Sequence, residues 1–329
     1  MNFLKKKKKL LVKVEDAGGR SPKGKALIMH IQSIFDYSLK KYLYRQLKPT
    51  ADFEWEFFIS KAMGEIGVSP KVIHESHKDK YFMMDFIENS VNLRTGMVPD
   101  EECIRQTGIY LRKIHDFSPA KKPPDSNNFM AKVFNLFTKN VERIPILSRF
   151  INNINKLKEL LKIFEKNCKR CLCHNDFGLG GNILWDKKRI WVVDWEHSGY
   201  YYPYFDLGSA ISILWFSSNN QREILLDGYF GRQRTEKEEA LVYIGETLGL
   251  LQYSVYISAL IPNVPDNINE KFFDDILEWN ALLTGKMKLN KVDSDTNIRL
   301  LKMITMLDKQ VKINMSTQKF QNYMKLLTN

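Results

Sequence analysis

The stretch at residues 171–208, CLCHNDFGLGGNILWDKKRIWVVDWEHSGYYYPYFDLG, constrains this chain more than any other. A short apolar run at 171–173 leads into His174-Asn175-Asp176 on a glycine-rich turn, and Asn182 follows six residues after the aspartate. Residues 182–189 read as a strand closed by a charged turn, and the β-rich run Ile190-Trp191-Val192-Val193 ends on Asp194. One continuous β-loop-β piece thus carries two carboxylates and an amide oxygen, without long-range chain closure. Either motif alone would pass for an ordinary turn or strand end; their order within one unit gives them chemical meaning.

The residue types suit phosphoryl transfer. That reaction asks little covalent work of a protein, so catalysis is alignment and neutralisation of oxygen charge. Asp176 would accept or orient the proton of an attacking hydroxyl. Asp194 and Asn182 would hold Mg²⁺, a hard cation that prefers oxygen ligands.

These residues resemble the choline/ethanolamine kinase branch of the aminoglycoside-phosphotransferase-like kinases, whose pattern is H-N-D-x4-N-I-L, then D-[FW]-E-Y-x-G and F-D-[IL]-[GA]. Here the motifs stand as His174-Asn175-Asp176, Asn182-Ile183-Leu184, Asp194-Trp195-Glu196-His197-Ser198-Gly199 and Phe205-Asp206-Leu207-Gly208. Aminoglycoside kinases more often carry H-G-D, so Asn175 favours the choline-like branch. The family places its asparagine five residues after the aspartate and this chain six; Gly178, Gly180 and Gly181 are placed to absorb the difference as a bulge, because glycine tolerates positive φ.

The resemblance implies an α+β, two-lobed protein-kinase-like fold with a small antiparallel-sheet N-lobe and a large, mainly helical C-lobe. A nucleotide-binding lobe is expected over 1–88 and a catalytic and substrate-binding lobe over 89–329. It also implies ATP and Mg²⁺ as cofactors and a small-molecule hydroxyl acceptor, cationic, with choline or a related amino alcohol first. An aminoglycoside or other small-molecule acceptor is the alternative, and a nucleotide-binding pseudokinase acting as an interaction module is the third reading.

At 329 residues and 44% hydrophobic the chain can bury a sizeable core. Its formal charge of +12 suits anionic partners such as ATP but speaks to association and not to fold. Five lysines (Lys5, Lys6, Lys7, Lys8 and Lys9) precede Leu10-Leu11-Val12, an apolar run too short for a signal peptide or a membrane span. The run reads first as a solvated face, with weak contact to an anionic membrane surface as its functional alternative. No nucleic-acid partner is expected, and the oligomeric state is not legible. Cys168, Cys171, Cys173 and His174 spell C-x2-C-x-C-H, which invites a zinc reading, but no second ligand cluster follows. Reduced, mostly buried thiols in a cytoplasmic protein are the expectation.

Residues 10–86 read as mainly β with one helix. Strands are expected over 10–14, 25–34 and 39–47, and the turn at 16–24 offers Gly18 and Gly19, whose backbone N–H groups can lie over phosphates. The third strand should carry the phosphate-binding cation. Tyr44-Arg45-Gln46-Leu47 resembles the family's setting for it, so Arg45, a permanently charged fork, is the candidate. A helix capped by Asp52 and running to about Gly64 puts Phe57, Phe58, Ala62 and Ile66 at core spacing. Its Glu54 and Glu56 are near even as partners of that cation, and either reads first as a surface charge. The family's glutamate lies eleven residues before a G-[VI]-S-P turn, here Gly67-Val68-Ser69-Pro70, and that selects Glu56. Strands at 72–75 and 81–86 follow, then Ile87-Glu88-Asn89, where backbone groups at Ile87 can bind adenine.

Asp100 caps a helix to about His115 whose one face carries Ile104, Gly108, Leu111 and His115, the histidine read as a packing residue. Residues 119–128 form a linker, 129–166 are helical, and the chain beyond 206 is almost wholly helical. The apolar stretch at 242–261 carries Glu246 and Gln252 and reads as a buried helix. Acceptor contacts are assigned to Glu196 and Asp206 of the motifs and to aromatics, Tyr202 and Trp215 first, with Tyr253 and Trp279 among the others. Such rings can cage a cation at about 0.5 to 2 kcal/mol per contact, though aromatics at this density are more often core. Eukaryotic choline kinases carry a glutamate soon after F-D-I-G; residues 209–216, SAISILWF, contain no acid.

Overall fold

The computed structural model describes residues 9–16, 24–33, 39–47, 52–93, 99–177, 181–215, 219–264, 268, 270–283 and 296–329. The chain divides into two units, each discontinuous in sequence: residues 1–92, 119–124 and 182–198 form the first, and 93–118, 125–181 and 199–329 the second. The hairpin after the His174-Asn175-Asp176 motif therefore groups with the N-terminal sheet, which a single boundary near residue 88 does not express.

In the first unit β1 (Lys9–Asp16), β2 (Gly24–Ser33), β3 (Leu39–Leu47), β4 (Val72–Ser76) and β5 (Tyr81–Asp85) make an antiparallel sheet of order β1-β2-β3-β5-β4. Alternation along β5 sends Phe82 and Met84 to one face and Met83 to the other. Helix α1 (Phe53–Glu65) covers the first face with Phe53 and Phe57, and Asp52 caps it by accepting from the Trp55 N–H at 3.1 Å. Burial differs from the spacing expected for this helix. Ile66 is 40% exposed, whereas Phe53, Trp55, Ile59 and Met63 are buried with Phe57. The helix has a second packed side, because the Trp55 indole donates to the carbonyl of Ser198 at 3.0 Å.

A smaller sheet orders β6 (Val91–Leu93), β8 (Ile183–Trp185) and β9 (Ile190–Val192). The Gly67-Val68-Ser69-Pro70 turn is tied to β9: the Val192 N–H donates to Val68 O at 3.0 Å, and the Ser69 hydroxyl donates to Val192 O at 2.7 Å.

The second unit is built on helices α2 (Glu101–Asp116), α3 (Ser126–Arg143), α4 (Asn152–Asn167), α5 (Pro203–Ser209), α6 (Asn219–Phe230), α7 (Glu236–Leu260), α8 (Glu270–Asp274), α9 (Trp279–Leu283), α10 (Thr296–Ser316) and α11 (Gln318–Thr328). Its one described β element pairs β7 (Cys171–Cys173) antiparallel with β10 (Gly199–Tyr201). Helix α7 lies inside the core and opens on a capping box between Thr235 and Glu238. Its half-buried Glu246 accepts the Arg222 Nε–H at 2.8 Å. Among the described residues no helix is long and apolar enough to cross a membrane. Helix α5 runs against α7 so closely that a Cβ on Gly208 would lie 2.2 Å from the carbonyl of Gly245.

Candidate active site

Each unit assembles its own set of functional groups. In the first, β3 delivers Arg45 and α1 delivers Glu56. The Arg45 Nε donates to Glu56 at 3.1 Å, while Nη2 donates to Asp194 at 2.9 Å and to Glu196 at 3.2 Å. One guanidinium thus faces three carboxylates. The Glu56 carboxyl is raised to about 7: burial pushes it up most, Arg45 pulls it down, and Asp194 and Glu196 push it up. For Arg45 burial acts downward, but Asp194, Glu56 and Glu196 outweigh it and the net shift is upward.

The β8–β9 hairpin sets the other side of this group. Ile183 pairs with Val192, and the Val193 N–H donates to the carbonyl of Asn182 at 2.9 Å. Asn182 and Asp194 therefore stand at the same open end of one hairpin. Asp194 holds φ 65°, ψ 68°, the left-handed region, which a non-glycine residue occupies only when its surroundings dictate it. The Trp195 indole donates to the Ser69 hydroxyl at 2.8 Å and anchors the residue that follows. Gly181, just before Asn182, has φ 73°, a conformation open to glycine; Gly178 and Gly180 lie outside the described residues. Oxygen donors with more carboxylates than cations fit a hard divalent ion, which Asn182 and Asp194 would hold; the Asp194 side chain is the most open of the carboxylates at Arg45, at 32% exposed.

In the second unit β7 feeds the His174-Asn175-Asp176 loop. The Asp206 carboxylate, 0% exposed at the start of α5, accepts the His174 N–H at 2.7 Å and the Asn175 N–H at 2.8 Å. Asn175 takes φ 65°, a conformation asparagine tolerates better than most residues. His174 is fully buried, packs edge-on to Phe177 and accepts the Asp176 N–H at Nδ1, 3.3 Å away. Asp176 itself accepts the Tyr253 hydroxyl from α7 at 3.1 Å. Behind the loop His115 from α2 bonds Asp206 through Nε2 at 3.3 Å and the Tyr229 hydroxyl through Nδ1 at 2.8 Å.

Residues 30–240 match the phosphotransferase enzyme family, designated APH, over well more than half of the chain. The chain belongs to this phosphotransferase family. Protein LicA of Haemophilus influenzae is 25% identical over 167 residues, 48% of this chain, a match spanning 59% of that protein's length. A choline/ethanolamine kinase family protein from Mesorhizobium loti superposes with a TM-score of 0.61 at 17% identity, covering 96% of this chain and 92% of that one. A choline kinase from Cryptosporidium parvum gives a TM-score of 0.66 at 13% identity, covering 97% and 94%. At these identities the structural likeness is one of fold, and the fold is the two-lobed α+β protein-kinase-like one.

Within this phosphotransferase the structure brings Arg45, Glu56, Asp194 and Glu196 into one cluster. Two acceptor-contact assignments are corrected. Asp206 is sealed from solvent by its loop amides and His115, so its carboxylate braces the loop and does not meet an acceptor. Tyr202 is 2% exposed and packs on Phe164 and Tyr201 in the core. Trp279 is likewise fully buried. Ile87 is half-buried and its carbonyl accepts the Ser90 hydroxyl at 2.9 Å. Gly18 and Gly19, the lysines at 5–8, and the side chains of Lys9 and Trp215 lie outside the described residues. Sequence reasoning missed Tyr253 as the partner of Asp176 and His115 as the support of Asp206. Their only local signals were a tyrosine inside an apolar helix and a histidine ending an apolar face.

Proposed function

We propose that this phosphotransferase transfers the terminal phosphoryl group of ATP to the hydroxyl of a small cationic acceptor, choline or a related amino alcohol first. The observation that carries the reading is the brace of Asp206 on the His174 and Asn175 amides, which fixes the backbone that presents Asp176. The Asp176 carboxylate orients the acceptor hydroxyl and takes its proton as the new oxygen–phosphorus bond forms and ADP leaves. Tyr253 holds that carboxylate in one rotamer. Arg45, oriented by Glu56, supplies fixed positive charge for phosphate oxygens. Asn182 and Asp194 would hold Mg²⁺, which would supply charge neutralisation on the phosphates. The choline-like branch is supported by the H-N-D motif and by the fold shared with the choline/ethanolamine kinase family protein and the choline kinase.

ADP release by purified protein with MgATP, measured against choline, ethanolamine, aminoglycosides and simple sugars, tests the proposal. Acceptor-dependent release by the wild type that collapses in Asp176→Ala is expected. Release with an aminoglycoside alone would move the acceptor class. Tight ATP binding without turnover on any acceptor would replace the enzyme by a nucleotide-binding module.

A further inference from the structure

Outside the groups that serve phosphoryl transfer, the second unit holds a set of soft donors. His115, Cys171 and Cys173 bring their ligand atoms within 4.8 Å of one another. Cys171 and Cys173 alternate with Leu172 on β7, so both thiols leave the strand on the same side, and their sulfurs stand 3.8 Å apart. The histidine comes from α2, far away in sequence. Cys171 is half-buried, while Cys173 and His115 are buried.

The 3.8 Å spacing is informative. Two sulfurs bound at about 2.3 Å to one tetrahedral ion lie about 3.8 Å apart. A disulfide instead needs sulfurs at about 2.05 Å, and residues two apart on a strand have Cα atoms about 6.6 Å apart, near the outer limit for such a bond. The two thiols meet at hydrogen-bond distance, and that separation is also the one that two sulfur ligands of a single tetrahedral ion take. Both ring nitrogens of the imidazole have polar partners, Asp206 at Nε2 and Tyr229 at Nδ1; coordination through Nδ1 would displace the Tyr229 hydroxyl and leave the Asp206 bond in place, the outer partner that metal-ligating histidines keep.

We propose that His115, Cys171 and Cys173 form a binding site for a thiophilic divalent ion of the zinc class. Binding is ligand exchange without redox change: both thiols lose their protons to solvent, two sulfur–metal bonds and one nitrogen–metal bond form, and the fourth position is left to water. The site differs from the one that the C-x2-C-x-C-H spelling suggests. Cys168 is spent on the carbonyl of Phe164 at 3.1 Å, and His174 is enclosed against Phe177 and the Asp176 amide. Through His115 and Asp206 the site adjoins the amides of His174 and Asn175, so ion binding and the order of that loop are coupled.

Equilibrium dialysis of the reduced full-length protein against chelator-buffered Zn²⁺, with Co²⁺ as the spectroscopic probe, tests the assignment. One equivalent of Zn²⁺ is expected, with a thiolate-to-cobalt charge-transfer band for Co²⁺. Binding should weaken at least tenfold in Cys171→Ser and His115→Gln and remain unchanged in Cys168→Ser. Hydrogen exchange at the His174 and Asn175 amides should slow on Zn²⁺ loading. Cys171→Ser replaces a half-buried thiol by a hydroxyl of similar size, so circular dichroism should report an intact fold and isolate the ligand effect. No binding by the reduced wild type, or binding that survives in Cys171→Ser, would overturn the site.

Discussion

The Asp206 carboxylate accepts the backbone N–H of Asn175 at 2.8 Å, and with its other oxygen it accepts that of His174 at 2.7 Å. A buried carboxylate that satisfies two loop amides holds the loop shape, since orphaned amides there would each cost about 1–3 kcal/mol. Asp206→Ala should reduce kcat by about 10²-fold, the scale of an ångström-sized misplacement, with nucleotide KM nearly unchanged. Steady-state kinetics check the split; a rise in KM alone would assign the residue to binding.

The Tyr253 hydroxyl reaches Asp176 at 3.1 Å from a helix 77 residues further along the chain. Tyr253→Phe keeps the ring packing on Phe205 and removes only the donor. A hydrogen bond to a charged group is worth about 1.5–3 kcal/mol, so kcat/KM should fall about tenfold or more. Thermal stability should stay near the wild type, which separates orientation from folding.

Glu56 takes up its proton more readily folded than unfolded, because its carboxyl is raised from 4.5 to about 7. Between those values the folded state carries more protons at this site, so the Glu56 contribution makes stability decline as pH rises from about 4.5 to 7, then level off. Glu56→Gln keeps an oxygen for the Arg45 Nε and cannot titrate. Denaturant unfolding at a series of pH values should show a flatter profile for the variant across that window. An unchanged slope would show that Glu56 does not titrate there.

Gly208 leaves no room for a side chain, as its Cβ would meet the Gly245 backbone at 2.2 Å. Gly208→Ala must push α5 from α7, at a cost of about 1–3 kcal/mol or more. Because Asp206 sits on the same helix, activity should drop with the melting temperature. A variant as stable as the wild type would contradict the packing.

Much of the scaffold was legible because it is written locally. The strands at 39–47 and 81–86, the caps Asp52 and Asp100, and the strand–loop–hairpin around Asp176 each depend on neighbours within a few residues. The resemblance selected Glu56, and the structure places it on Arg45. What was not legible depends on residues brought together by tertiary packing. His115 and Asp206 are 91 positions apart, and nothing local distinguishes a brace from an acceptor contact. Ile66 has core spacing yet ends its helix exposed, since α1 packs on two sides and stops one residue earlier. Tyr202 and Trp279 were consumed by the core, as large aromatic side chains commonly are.

In the proposed reaction the Asp176 carboxylate drives phosphoryl transfer to a hydroxyl. Phosphorus NMR of the protein with MgATP and choline, run beside Asp176→Asn, tests it most directly. A phosphomonoester resonance growing in step with ADP for the wild type, and slowed about 10²- to 10⁴-fold in the variant, is the predicted result. A monoester formed equally fast by Asp176→Asn, or none formed by the wild type from choline or any other hydroxyl acceptor, would contradict it.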